Sequence, residues 1–158
     1  MSNAESLRPT LGDFNSIVCF KAAVVGIEET MGPTAAMVAL TAAGRKRGKD
    51  LVASLGLTGA GADLKVAGAK LSAALGIDGT RLCNVERIDT DGEVIRVIVS
   101  DTVCMAGEPQ GSDRRCSFTL GAVHGALEAL TGRRLSGKHV ESAWRGDPED
   151  VFEFRDRF

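Results

Sequence analysis

The sequence has no tyrosine, one tryptophan and six phenylalanines in 158 residues. Its core must therefore be built from Ala, Val, Leu and Ile. It also lacks an excess of one charge: 19 basic residues face 21 acidic ones, for a net charge of −2, so no global field would draw in nucleic acid. No apolar run approaches the ~18 residues that span a bilayer. The first residues, Met1-Ser-Asn-Ala-Glu-Ser, carry neither the basic region nor the apolar core of a signal peptide, and a cytoplasmic protein is expected. The four cysteines, Cys19, Cys83, Cys104 and Cys116, form no CxxC pair. In a reducing cytosol they are expected to be free thiols that pack as small apolar groups. There is no Walker loop, no HExxH and no GxSxG, and with two histidines any Cys/His or Ser/His pair must use His124 or His139. Catalysis is accordingly the weakest of the functional readings.

What is present is a globular balance of 44% hydrophobic and 25% charged residues, enough chain for one domain. Ile17, Phe20, Val24, Ile27 and Met31 recur at three- and four-residue spacings, which predicts a first helix closed by Gly32. Pro33 suits the first turn of a second helix. That helix carries Met37, Leu40, Gly44, Gly48, Leu51 and Leu55 on one face and stops at Gly56, with Arg45, Lys46, Arg47 and Lys49 on an exposed side. Leu64, Leu71 and Leu75 mark a third helix ending near Gly76. Leu82 to Ile88 and Val94 to Val99 read as strands joined at Asp89-Thr90-Asp91-Gly92, with Ile95, Val97 and Val99 on one face. Phe118 to Leu130 reads as a fourth helix ended by Gly132. Lys138 to Arg145 and Val151 to Arg155 form a second hairpin about Gly146-Asp147-Pro148. The order ααα-ββ-α-ββ predicts an α+β domain in which about four helices pack against an antiparallel sheet made of two hairpins.

Glycine inside a helix costs about 1 kcal/mol relative to alanine. Gly44 and Gly48 lie four apart on an apolar stripe, and Gly121 and Gly125 repeat the device. Something must approach these backbones closely: another helix, a subunit or a ligand. His124, between the second pair, reads either as a polar group projecting into a pocket or as a core histidine with one nitrogen satisfied.

The segments Cys116-Ser-Phe118, Gly121-Ala-Val-His-Gly125, Leu130-Thr-Gly132, His139-Val-Glu-Ser and Gly146-Asp147-Pro148 followed by Phe152 resemble the 4-vinyl-reductase, or hydrocarbon-binding, domain family. Upstream, Met31-Gly32-Pro33 and Ala43-Gly44-Arg45-Lys46-Arg47-Gly48 resemble its earlier helix pair. The resemblance covers roughly residues 14 to 155, taken as the domain, with residues 1–13 as a flexible N-terminal segment. It implies a dimeric, non-catalytic module that binds or senses a hydrophobic or aromatic small molecule, related in fold to the lipid-holding subunits of TRAPP-type tethering complexes. The reductase of the family's name refers to tetrapyrrole metabolism, so the resemblance also leaves an accessory enzyme of that metabolism as a further alternative.

With that resemblance, an apolar ligand is expected between helices and sheet, walled by Gly44, Gly48, Ile95, Val97 and Phe118, with His124 or Trp144 as a polar anchor. The alternative is a scaffold dimer whose glycine-notched faces are filled by a subunit. The family's structural zinc would fall on Cys116, His139, Ser142 and Asp150, of which only Cys116 is the family residue. Serine is a poor zinc ligand. The metal site is expected to be degenerate, with a hydrogen bond between His139 and Asp150 in the metal's place and no cofactor required.

Overall fold

The computed structural model describes residues 16–157; the expected N-terminal segment, residues 1–13, lies outside them. Helix α1 (Ile17–Met31) begins where the Ser16 side chain accepts the Cys19 amide at 3.3 Å, satisfying one of the donors that a helix start leaves unpaired. Gly32, at φ +77°, both ends α1 and leads into α2 (Pro33–Ser54), whose leading proline has no amide to leave unpaired. Helix α3 (Leu64–Leu75) is capped by Asp63, which accepts the Val66 amide at 3.0 Å. Helix α4 (Ser117–Thr131) closes on Gly132 in the left-handed conformation, at φ +69°. Among the described residues no helix is long and apolar enough to cross a membrane.

Four strands, β1 (Asn84–Asp91), β2 (Val94–Ser100), β3 (Leu135–Glu141) and β4 (Asp150–Asp156), form one antiparallel sheet in the order β1-β2-β4-β3. The architecture is therefore α+β with the expected element order. Several boundaries differ from expectation: β1 starts at Asn84 rather than Leu82, and β3 at Leu135 rather than Lys138. The first hairpin pairs as far as Asp91 with Val94, so its loop is Gly92-Glu93 rather than four residues. The second hairpin's leading strand stops at Glu141, after a register shift between His139 and Glu141, and Ala143–Arg145 forms a 3-10 turn. The Asp147 carboxylate accepts the Ser142 amide at 2.8 Å and that of Asp150 accepts the Ala143 amide at 3.3 Å. These side chains take the amides that a longer ladder would have used.

Ile95, Val97 and Val99 alternate onto the helix-covered face of the sheet, beside Phe152 and Phe154, and all five are buried. Helix α4 lies at the centre, with 11 of its 15 residues buried. Its neighbour α2 approaches unusually closely. A Cβ on Gly48 would stand 1.9 Å from the Ala122 carbonyl oxygen, and one on Gly44 would stand 2.1 Å from that of Phe118. In return, a Cβ on Gly121 would meet the Thr41 carbonyl at 2.3 Å, and one on Gly125 that of Arg45 at 1.9 Å. Carbonyls of each helix thus seat in the glycine notches of the other, over two successive turns, with the helices running parallel. The notches receive a helix of the same chain. The expected ligand slot at Gly44 and Gly48, and the subunit proposed to fill them, are both replaced by this packing.

Gly48→Ala separates two opposing forces. Helix propensity alone would stabilise α2 by about 1 kcal/mol, whereas the added methyl must push two backbones apart. We expect a net loss of about 2–3 kcal/mol, read as a lowered urea midpoint. A midpoint at or above that of the native protein would refute the close contact.

Candidate functional site

Beside the α2–α4 contact, the two helices and β3 border an open cleft of about 1090 Å³. Helix α2 contributes Met37, Val38, Thr41 and Ala42, and α4 contributes Leu120 and His124. On the far side lie Gly137 and His139 of β3. Gly137 matters because its missing side chain is where Phe154 fits: a Cβ there would lie 2.5 Å from the ring. Phe154 in turn packs at 5.5 Å, ring centre to ring centre, against His124. A concave, largely apolar floor with few polar groups is the usual form of a small-molecule site.

Two of the cleft's polar groups, His124 and Arg45, belong to one network. His124 Nε2 lies 2.8 Å from the Leu135 carbonyl, so Nε2 donates and Nδ1 is left as an acceptor. Burial holds the imidazole below its ordinary value of 6.5, opposed by the Leu135 carbonyl and the Glu128 charge, and it is neutral at pH 7. Glu128, one turn on and only 6% exposed at its side chain, receives Arg45 through both oxygens at 2.9 and 2.6 Å, the Leu135 amide at 3.1 Å and Lys49 at 3.1 Å. Burial opposes its charge, but Arg45, the Leu135 amide and Lys49 together hold its carboxyl down to about 2. Arg45 and Lys49 are therefore not simply members of a solvated helix face, as their sequence suggested. Glu128 had no signal in the sequence, where it is a single acid inside an apolar helix.

The cleft's other end is framed by the segment leading from Met105 to α4. This loop is fastened to α1: Lys21 Nζ pairs with Glu108 at 3.0 Å and donates to the Cys104 carbonyl at 2.9 Å, and Arg114 pairs with both Glu108 and Glu28. Glu28, near the end of α1, is one of these fasteners. Burial opposes the Glu108 charge, but Lys21, Ser112 and Arg114 hold its carboxyl below the ordinary range. The loop is also closed on itself by a Cys104–Cys116 disulfide whose Cα atoms lie 5.5 Å apart, within the normal span for the bond. The expectation of four free thiols is corrected here. Cys104 lies in the 3-10 turn Val103–Met105 and Cys116 caps α4, a proximity that spacing in the sequence does not reveal. Cys19 is free and exposed; Cys83 is free and buried, its thiol pushed up to about 12 by burial and by the nearby Asp101 charge.

The candidate zinc positions divide. Cys116 lines the cleft but its sulfur is paired with Cys104. His139 Nε2 lies 3.1 Å from Asp150 Oδ1 and its ring packs edge-on against Phe152 and Trp144, at 5.0 and 5.9 Å. The Ser142 hydroxyl is buried without a partner. Among the described residues no three His, Cys, Asp or Glu side chains are grouped to hold a metal ion. Of the other predicted wall residues, Ile95 and Val97 are wholly buried. Phe118 packs against Phe20 with ring centres 4.8 Å apart, and Trp144 is 3% exposed. None of these four borders the cleft. Only His124, Cys116 and His139 among the expected site residues reach it.

No protein-family model matches the chain, and no curated protein matches it. Solved structures do share its fold. The phenol-responsive sensory domain of the transcription activator PoxR, with phenol bound, superposes at a TM-score of 0.65 with 14% identity, over 90% of this chain and 75% of that one. Trafficking protein particle complex subunit 3 from Naegleria fowleri, covalently bound to palmitic acid, does so at 0.55 with 16% identity, over 90% of this chain and 98% of that one. The chain thus shares its fold with a phenol-responsive sensory domain and a TRAPP subunit; membership of the 4-vinyl-reductase family is not shown.

Two measurements check this site. Denatured, unreduced protein should present two thiols to Ellman's reagent and four after reduction; four before reduction would exclude the disulfide. The second is acid stability. His124 titrates below 6.5 when folded, so the unfolded chain takes its proton first and stability starts to fall below about pH 6.5. Glu128 is depressed from 4.5 to about 2, so its contribution is intact above 4.5 and lost as pH falls towards 2. That contribution is about 2 kcal/mol, allowing for solvent screening of the half-exposed Arg45 and Lys49. Glu128→Gln should flatten the lower part of the stability profile, and an unchanged slope there would refute the network.

Proposed function

We propose that this protein is a non-catalytic binding domain for a small, largely hydrophobic molecule, seated in the α2–α4–β3 cleft, and that it acts as a sensor through a homodimer or a partner. The observation that carries this reading is the cleft itself: an apolar floor of Met37, Val38, Ala42 and Leu120 with His124 Nδ1 as a polar acceptor. Support comes from the fold, which is also that of a phenol-responsive domain and of a palmitic-acid-bound subunit. Binding is favoured over turnover because His124 and Arg45, which border the cleft, are engaged in holding the structure. His124 serves the Leu135 carbonyl, and Glu128 holds Arg45, Lys49 and the Leu135 amide. We further propose that the corner at His139 is held without zinc, by its hydrogen bond to Asp150 and by the Cys104–Cys116 disulfide nearby.

The cleft reading is tested with the uncharged fluorescent probe N-phenyl-1-naphthylamine. Its emission should rise on binding the native protein. Ala42→Trp, at an exposed helix position bordering the cleft, should weaken the probe by about tenfold with little change in melting temperature. A native protein that leaves the probe dark, or a variant that binds it equally, would refute the site. Elemental analysis of the same preparation should find no stoichiometric zinc.

A second reading, a structural dimer without ligand, is favoured by exposed apolar side chains on α1 and α2: Val18 at 75%, Met31 at 50% and Val38 at 64%. Light scattering after gel filtration should give twice the 16.6 kDa chain mass, and replacing Val18 and Met31 by glutamate should reduce it. Dimerisation with no probe binding would favour this second reading.

A further inference from the structure

We propose that the molecule bound in the cleft carries an oxyanion, a carboxylate or phosphate at one end of an apolar body, held where Arg45 and Arg157 border the cleft. This rests on the cleft being the ligand site and names the chemistry of its occupant.

The chain is acidic overall, yet the cleft is bordered by five cationic side chains, Arg45, Arg115, Lys138, Arg145 and Arg157, against one carboxylate, Asp113. Arg45 and Arg157 also border a second cleft of about 770 Å³. There Lys49, Arg133 and Arg134 join them, opposed by Asp50 and Glu128. The two clefts thus meet at a cationic junction. The carboxylates near it are already engaged: Glu128 with Arg45 and Lys49, Asp50 with Lys46, and Asp156 with Arg133. Arg134 and Arg157 pair with no carboxylate among the described residues. They are adjacent, the Arg157 amide donating to the Arg134 carbonyl at 2.9 Å.

Like charges gathered at a concavity repel unless a counterion joins them, and a concave wall focuses their field on whatever enters. From the junction the floor continues as Ala42, Val38, Met37 and Leu120, while Arg115, Lys138 and Arg145 border the same cleft elsewhere. Cationic borders around an apolar floor fit an amphipathic anion. A neutral hydrocarbon would use the floor and leave the junction unanswered. A highly charged ligand would use the junction and waste the floor.

The test displaces bound N-phenyl-1-naphthylamine with three molecules that share one chain: decanoate, decyl phosphate and decanol. At low salt decanoate or decyl phosphate should displace the probe about tenfold more effectively than decanol, and the better of the two names the head group. High salt should shrink the gap, since a solvent-facing ion pair is screened. Replacing Arg134 and Arg157 by glutamine should weaken the better anion about tenfold, while Lys70→Gln, outside both clefts, should leave it unchanged. If the probe binds and all three molecules displace it equally at low salt, the anionic head group is refuted and the cleft stands. If the probe does not bind the native protein, the cleft reading itself falls.

Discussion

The fold depends on the contact between the backbones of α2 and α4. Gly44, Gly48, Gly121 and Gly125 leave no side chain between the two helices, so each seats a carbonyl from the other. Contacts of this kind, glycine Cα–H towards carbonyl oxygen, are individually weak, but they are repeated along both helices. They let α4 lie deep between α2 and the sheet, where most of its surface is covered. That depth brings His124 and Glu128, both polar, into the interior. Once there they must find partners, which are the Leu135 backbone, Arg45 and Lys49. The polar network follows from how close the helices come.

Much of this was legible in the sequence because local chemistry fixed it. Gly32-Pro33, Gly76 and Gly132 mark helix ends through backbone requirements that act within a few residues, and these ends were anticipated to within a residue or two. The β-branched run of β2 was equally plain. The paired glycines announced a close approach, but not to what: a notch looks the same whether it receives a helix, a subunit or a ligand, and only the three-dimensional arrangement distinguishes them.

What was not legible is whatever depends on residues distant in the chain. Glu128 gains its importance from Arg45, 83 residues away. The Cys104–Cys116 bond depends on a 3-10 turn and a helix start folding against each other, and a premise about redox environment pointed the other way. The expected wall residues were chosen as apolar, and Ile95 and Val97 are so thoroughly apolar that they belong to the core. Gly137 passed unnoticed, since its significance is the Phe154 ring that occupies its empty place.

The helix pair also separates two demands that usually conflict. Its cohesion lies in main-chain atoms and hydrogen side chains, so the side chains of Met37, Val38 and Ala42, which border the cleft, carry little of it. Changes of size or polarity at these positions would alter what the cleft admits without loosening the scaffold. On the binding function proposed above, a lineage bearing this arrangement could explore new ligands by ordinary point substitution, holding four glycines constant while the walls around them drift.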